Sequence, residues 1–213
     1  MIVVTSDHGD YLGDHWLGEK DLFHEPSVKI PLIIYDPRRP ADATRGTTCD
    51  ALVESIDLAA TFVEAGGGKV PGHIIEGRSL MPWLNGETPD DWRDFVISEY
   101  DYSVTPMRTA LGVSADDARL FMVYDGRYKL IHAEGGFRPM LFDTLTDPDE
   151  FHDLGGQPGH EADNDIEAMR GASARKGILP FLVDGSEVPE ELTVKYRGPV
   201  RQVHLQTEQD GHD

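Results

Sequence analysis

The chain has 213 residues and carries 39 acidic side chains against 19 lysines and arginines, which gives a formal net charge of −20. A negative surface repels phosphates and anionic lipids, so neither nucleic acid nor a membrane is an expected partner. No apolar run approaches the roughly 20 residues of a membrane span. No basic region followed by a long apolar stretch opens the sequence, so no signal peptide is expected and the expected location is cytoplasmic.

The first predicted element is a short buried strand, Ile2–Thr5, which runs into a long polar loop over residues 7–27. The loop opens with Asp7 and His8. In open α/β sheets ligands bind at the carboxyl ends of strands. A carboxylate and an imidazole side by side can both reach one divalent cation, with Mn, Fe and Zn suited to the pair and Ca less so. The alternative is an ordinary turn with an aspartate cap.

The same loop holds other groups that bear chemistry. Lys20 could pair with a nonbridging anionic oxygen or stabilise charge on a leaving group, and a solvated surface lysine is the alternative. His15 and His24 either support the metal pair or are structural. Cys49 is the single cysteine, so no disulfide can form within the chain. It has no neighbouring base and is expected to be structural or incidental.

A second strand is predicted over residues 30–35, and Pro31 indicates that it starts there or lies at a sheet edge. Residues 55–65 have the pattern of an amphipathic helix with Ser55 as N-cap, stopped by glycines from Gly66 onward. The predicted shared face of this helix consists of Ile56, Ala59, Ala60 and Val63.

The pattern then changes to short strands at 95–99, 120–124, 128–132 and 140–142, with Asp125-Gly126 predicted as a tight hairpin turn. A weak helix is predicted at 161–176, and the last 40 residues are expected either to wrap over a partner subunit or to be partly disordered. Three regions follow: residues 1–92 as part of an α/β core with the metal-binding loop, residues 93–155 as a small antiparallel-sheet subdomain, and residues 156–213 as an acidic extension that makes an oligomer contact.

The run from Thr5 to Lys20 closely resembles the late metal-binding segment of the alkaline phosphatase superfamily, within its sulfatase and phosphonate monoester hydrolase branch. The likeness covers about residues 2–155 in the family's order. It implies the α/β C-terminal part of an alkaline-phosphatase-like mixed sheet layered with helices, followed by a small antiparallel sheet. The further matching segments are residues 25–34, 53–63, 76–84, 125–130 and 141–154.

The resemblance implies roles for three residues. Asp7 and His8 match the family's metal ligands, and Lys20 matches the lysine that contacts the sulfuryl or phosphoryl group. Histidine after the aspartate, together with segment 92–101, is similar to the phosphonate monoester hydrolases. The implied substrate is a small anionic ester, the implied cofactor a divalent metal ion, and the implied partner a second copy of the chain or a missing N-terminal half.

Two family features are absent from the sequence: the early strand with its aspartate ligand, and the nucleophile motif Cys/Ser-x-Pro-x-Arg. Cys49 is followed by Asp50-Ala51-Leu52 instead. The chain is therefore expected to be a C-terminal portion, arising as a fragment, from a shortened gene, or as one of two chains that complete the sheet. It acts either as part of a hydrolase or as a non-catalytic assembly module, since transfer has no attacking atom without a nucleophile.

Overall fold

Two antiparallel sheets organise residues 1–156, the part of the chain that the computed structural model describes. The strands are β1 (Ile2–Thr5), β2 (Leu32–Tyr35), β3 (Val96–Asp101), β4 (Arg119–Tyr124), β5 (Tyr128–Ala133) and β6 (Met140–Asp143). The helices are α1 (Glu25–Val28), α2 (Asp57–Ala65), α3 (Met81–Leu84) and α4 (Pro106–Leu111).

Strands β1 and β2 form a two-stranded ribbon, with Ile2 opposite Tyr35 and Thr5 opposite Leu32. Neither strand alternates apolar and polar residues, and such continuous apolar runs are typical of strands buried on both faces. Here Ile2 is 62% exposed and Ile33 63% exposed. We call β1 and β2 the apolar ribbon.

The second sheet has the order β3-β4-β5-β6, with every neighbouring pair antiparallel. The turn between β4 and β5 covers residues 125–127, where Arg127 and Tyr128 both donate backbone N–H bonds to the carboxylate of Asp125. One core cluster lies against this sheet and includes Phe23, which anchors the end of the polar loop. Its buried members are Phe23, Tyr102, Ala118, Leu120, Met122, Ile131 and Phe142.

Helix α2 corrects two predictions. It begins at Asp57 with Ile56 in the N-cap position, so Ser55 is not the cap. The buried residues are Asp57, Ala60 and Thr61, and the predicted apolar face was wrong because Ile56 and Ala59 are exposed. The cause is a buried ion pair. Arg93 donates hydrogen bonds from both terminal nitrogens to the Asp57 carboxylate, so the side of the helix that carries Asp57 faces the interior.

The α/β fold class was predicted correctly, as were the positions of all six described strands, although β2 starts after Pro31. Helices α3 and α4 were not predicted. The helix expected at 161–176 and the acidic extension lie outside the described residues. The described residues fall within one compact unit, Met1–Ile166, and the boundaries at residues 92 and 155 stay predictions. Within residues 1–156, no helix has the length and apolar character that crossing a membrane requires.

Candidate metal and oxyanion site

Asp7 and His8 lie directly beyond the end of β1, on the wall of a cavity of about 700 Å³. The strand gives way to a turn because the Ser6 hydroxyl donates a hydrogen bond to the His8 carbonyl at 2.7 Å. This local bond competes with extended backbone and turns both side chains out of the strand path. The Asp7 side chain is 83% exposed.

The His8 ring has an assignable tautomer. Its Nδ1 atom is 2.6 Å from the Gly9 carbonyl oxygen, which can only accept, so Nδ1 carries the proton. In the neutral ring Nε2 therefore presents a lone pair. That Nε2 lies 3.5 Å from Oδ2 of Asp7. With the ring neutral, this lone pair faces the Asp7 carboxylate, an arrangement that a shared cation stabilises; with the ring protonated, the two side chains form an ion pair.

The spacing of these two atoms fits two positions around one metal ion. At metal–ligand distances of about 2.1 Å and tetrahedral angles, two ligand atoms lie about 3.4 Å apart. A hydrogen bond from its own backbone lowers the pKa of Asp7, and the charges of His8 and Lys20 act in the same direction. The carboxylate therefore stays ionised, as a metal ligand must.

The donor set is a partial one. Among residues 1–156, no group of three His, Cys, Asp or Glu side chains could hold a metal ion together. Asp7 and His8 thus fit two ligand positions, and further ligands would have to come from water, a substrate or other polypeptide. Cys49 is exposed and does not line the cavity.

Lys20 lines the same cavity as Asp7 and His8 and is exposed. Its side chain makes no ion pair with another residue of the described range. Its backbone is held more firmly, because the buried Ser27 hydroxyl donates to the Lys20 carbonyl at 2.7 Å. The structure thus brings all three predicted site residues to the lining of one cavity. There the Lys20 ammonium group accompanies the two candidate metal ligands, Asp7 and His8.

Residues 9–20, which we call the site loop, connect the pair to Lys20 along an unusual path. Four residues that are not glycine have left-handed backbone: Leu12, His15, Trp16 and Glu19, with φ between 49° and 58°. Such conformations cost free energy and are retained where the surroundings impose them. A hydrogen bond from the Tyr11 amide to the Glu19 carbonyl, 2.9 Å long, closes the loop at its base.

The two further histidines of the polar loop pack against aromatic rings and against each other. His15 and His24 stack with ring centroids 4.1 Å apart, and neither lines the cavity. Burial lowers the pKa of His24 to about 4, and the charges of His15 and Lys129 act in the same direction. The neutral ring accepts a 2.9 Å hydrogen bond at Nδ1 from the hydroxyl of buried Tyr11.

A buried charge cluster beneath the site was not predicted from the sequence. Its members are Lys129, Glu25 and Glu150. The Lys129 Nζ atom lies 2.6 Å from Glu25 and 2.7 Å from Glu150. Burial raises the pKa of Glu150 against the opposing charge of Lys129. For Glu25 burial acts upward, but Lys129 and Lys29 outweigh it, and the net pKa shift is downward.

The available sequence signal for this cluster was a lysine inside the apolar strand Tyr128–Ala133. Its partners lie 104 residues before it and 21 residues after it, so spacing could not identify them. The cluster joins β5 to α1, the helix that follows the site loop. It therefore fixes the position of α1 against the four-stranded sheet.

The fold and site together define the chain as the C-terminal part of a sulfatase-like protein. The model of the family described as N-sulphoglucosamine sulphohydrolase, C-terminal, matches residues 13–169, and the chain belongs to that family. It falls in the sulfatase and phosphonate monoester hydrolase branch of the alkaline phosphatase superfamily.

Curated relatives agree with this placement. The chain is 36% identical over 165 residues to the multifunctional alkaline phosphatase superfamily protein PehA of Trinickia caryophylli, covering 76% of this chain and 31% of that protein. It is 32% identical over 160 residues to an N-acetylglucosamine-6-O-sulfatase of Bacteroides thetaiotaomicron, covering 74% and 26%. The chain thus spans a third or less of these relatives.

Solved structures give the same picture. The phosphonate monoester hydrolase of Silicibacter pomeroyi superposes with a TM-score of 0.74 at 31% identity, covering 89% of this chain and 37% of that one. The enzyme of the same name from Agrobacterium radiobacter gives 0.73 at 30% identity, covering 84% and 35%.

Proposed function

We propose that this chain contributes the Asp7–His8 metal pair and the Lys20 cation to the active site of a hydrolase of sulfate or phosphonate and phosphate esters. The observation that carries the proposal is the 3.5 Å approach of Asp7 Oδ2 and His8 Nε2, on the cavity that Lys20 also lines. The relatives include both sulfatases and phosphonate monoester hydrolases, which supports the two ester classes.

The proposed division of labour follows from the chemistry of each group. Asp7 and His8 hold a divalent ion, for which Mn, Zn, Fe and Ca are the candidates. When bound, that ion supplies Lewis-acid polarisation of the transferred sulfuryl or phosphoryl group. Lys20 pairs with a nonbridging oxygen and offsets the negative charge that develops there.

The attacking group is proposed to come from polypeptide outside this sequence, because no Cys/Ser-x-Pro-x-Arg motif is present. About two thirds of each relative's length lies outside the region matched here. Residues 1–156 are therefore proposed as one side of a site that a larger assembly completes. The substrate is a small anionic ester.

Metal-dependent stabilisation tests the pair directly. Mn²⁺ is expected to raise the melting temperature of the chain, since a ligand that binds only the native state stabilises it. Asp7→Ala and His8→Ala should remove the shift. Asp10→Ala is the matched control, because Asp10 is an exposed carboxylate of the same loop that bonds the Leu12 amide. An unchanged melting temperature with Mn²⁺, Zn²⁺ and Ca²⁺ would contradict the proposal.

Hydrolysis is tested on protein purified from its native source with any co-purifying chain. An aryl sulfate and an aryl phosphonate monoester are the probes. Activity that is present in the wild type and lost in Asp7→Ala and Lys20→Met is expected. Loss of at least about 10²-fold is the scale of one transition-state contact. Activity unaffected by both substitutions would place the reaction elsewhere.

The exposed apolar ribbon favours a second candidate, a non-catalytic assembly module. An isolated two-stranded ribbon is marginal in water, and β1 and β2 expose Ile2, Val4, Ile33 and Tyr35. The proposed occupant is a second copy of the chain, which would form a homo-oligomer. Ile33→Lys should then lower the mass measured by light scattering, whereas Leu145→Lys, at another exposed apolar residue, should not. A monomer in both wild type and variants excludes this candidate.

A further inference from the structure

Ser27 is the residue to which both ends of the site loop are fastened. It is buried on α1. Its carbonyl oxygen accepts the Gly9 amide at 2.7 Å, directly after the metal pair. Its hydroxyl donates to the Lys20 carbonyl, also at 2.7 Å. Ser27 therefore hydrogen-bonds to both ends of the site loop, with its backbone at Gly9 and its side chain at Lys20.

The contact at Gly9 allows little adjustment. A Cβ atom at that position would lie 1.9 Å from the Pro26 carbonyl oxygen, so the backbones of Gly9 and α1 are already in full contact. The first end of the loop is thus fixed by packing as well as by a hydrogen bond. The Lys20 end has no comparable packing, since Lys20 is exposed.

The loop between these ends does not by itself define the position of Lys20. It passes through four left-handed residues, and the outermost of the backbone bonds within it runs from the Tyr11 amide to the Glu19 carbonyl. That bond stops one residue before Lys20. The hydroxyl of Ser27 is the group that carries the restraint on to the Lys20 peptide.

We infer that Ser27 is a positioning residue, which sets the place of Lys20 relative to Asp7 and His8 through its hydroxyl. Helix α1 holds Ser27 in turn, because Glu150 accepts the Glu25 amide at its N-terminus. The role of Lys20 as an anion-binding group rests on the proposed function. The restraint on Lys20 does not.

Tryptic cleavage measures the restraint without any assumption about function. Trypsin cuts the Lys20–Asp21 peptide, whose carbonyl is the one Ser27 holds. Ser27→Ala should speed that cut about fivefold, the factor that one net hydrogen bond represents, relative to the exposed Arg45–Gly46 bond in the same chain. Ser27→Thr keeps the hydroxyl and should cleave like the wild type. Ser6→Ala removes the matched hydroxyl–carbonyl bond to His8 and should leave the Lys20 cut unchanged.

A binding measurement then separates the inference from the proposed function. Ser27→Ala should keep the wild-type Mn²⁺ affinity within about twofold but weaken sulfate binding to the Mn²⁺-loaded chain about fivefold. If Lys20→Met binds sulfate like the wild type, the proposed role of Lys20 fails while the cleavage result stands. If Ser27→Ala does not change the cleavage rate, or Ser27→Thr accelerates it equally, the positioning role is overturned.

Discussion

The carboxylate of Glu150 accepts a hydrogen bond from the backbone amide of Glu25 at 2.6 Å. Glu25 is the first residue of α1, so this carboxylate satisfies a helix N-terminus and meets the positive end of its dipole. The same Glu150 pairs with Lys129. The site loop is therefore supported from the four-stranded sheet by charges that water does not reach.

Removing the cation from this cluster is expected to be costly. Lys129→Met should lower the free energy of unfolding by about 3–5 kcal/mol, because it leaves the fully buried Glu150 carboxylate without its cation. Lys29 pairs with the same Glu25 but is 78% exposed, so Lys29→Met should cost less than about 1 kcal/mol. Urea unfolding of both variants provides the measurement, and equal losses would contradict the role of burial.

The buried His24 ring predicts a pH dependence of stability. Its pKa is about 4 in the native state and about 6.5 unfolded, so between these values the unfolded state binds more protons. Stability should therefore fall by roughly 3 kcal/mol as pH drops from 6.5 to 4, and this contribution should not change further below pH 4. His24→Gln should flatten the curve in this window. If the His24→Gln variant kept the wild-type dependence of stability on pH, groups other than His24 would be responsible for that dependence.

The Asp57–Arg93 pair predicts a large loss of folding stability when Asp57 of α2 is replaced. Asp57 accepts two bonds from Arg93 and also the amides of Glu54 and Arg78. Asp57→Ala should cost about 3 kcal/mol, since it leaves the buried Arg93 guanidinium with the partly exposed Glu54, 3.3 Å away, as its remaining carboxylate partner. Asp42→Ala breaks the exposed pair with Arg45 and should cost less than about 1 kcal/mol. The comparison is made by chemical unfolding, and similar midpoints for the two variants would refute it.

The close approach of the site loop to α1 is tested at its glycines. Gly9→Ala should destabilise the chain by at least about 2 kcal/mol, because the added carbon meets backbone that cannot move aside. It should also abolish the Mn²⁺-dependent rise in melting temperature. Gly18→Ala in the same loop meets no atom within 4 Å and should retain both properties. A Gly9→Ala variant with normal metal response would show that the loop tolerates displacement.

The sequence predicted local features of this fold well. Strands β3–β6 coincide with short apolar runs in the sequence. The tight turn at Asp125 forms where its carboxylate accepts hydrogen bonds from two nearby backbone amides. The sequence also named Asp7 and His8 as a candidate metal pair, because they are neighbours at a strand end, and metal binding by them stays a prediction. Features that depend on residues far apart in the sequence could not be predicted from it. The inward side of α2 is set by Arg93, 36 residues from Asp57.

The candidate site shows the same division. The three predicted site residues, Asp7, His8 and Lys20, lie in one short segment, and the resemblance of that segment to the family identified them. Ser27 was not singled out, because a serine two residues into a short helix has no sequence signal that distinguishes a buried donor. Lys129 and Glu150 could be recognised as partners only once the chain had brought them together.

The bond between Glu25 and Glu150 also has a consequence for biosynthesis. The two residues are 125 positions apart, so at about 5–20 residues per second translation needs roughly 6 to 25 s to pass from one to the other. Throughout that interval α1 has left the ribosome without the carboxylate that caps it. The loop bearing the metal pair is therefore expected to reach its final conformation among the last parts of residues 1–156, after the four-stranded sheet has closed.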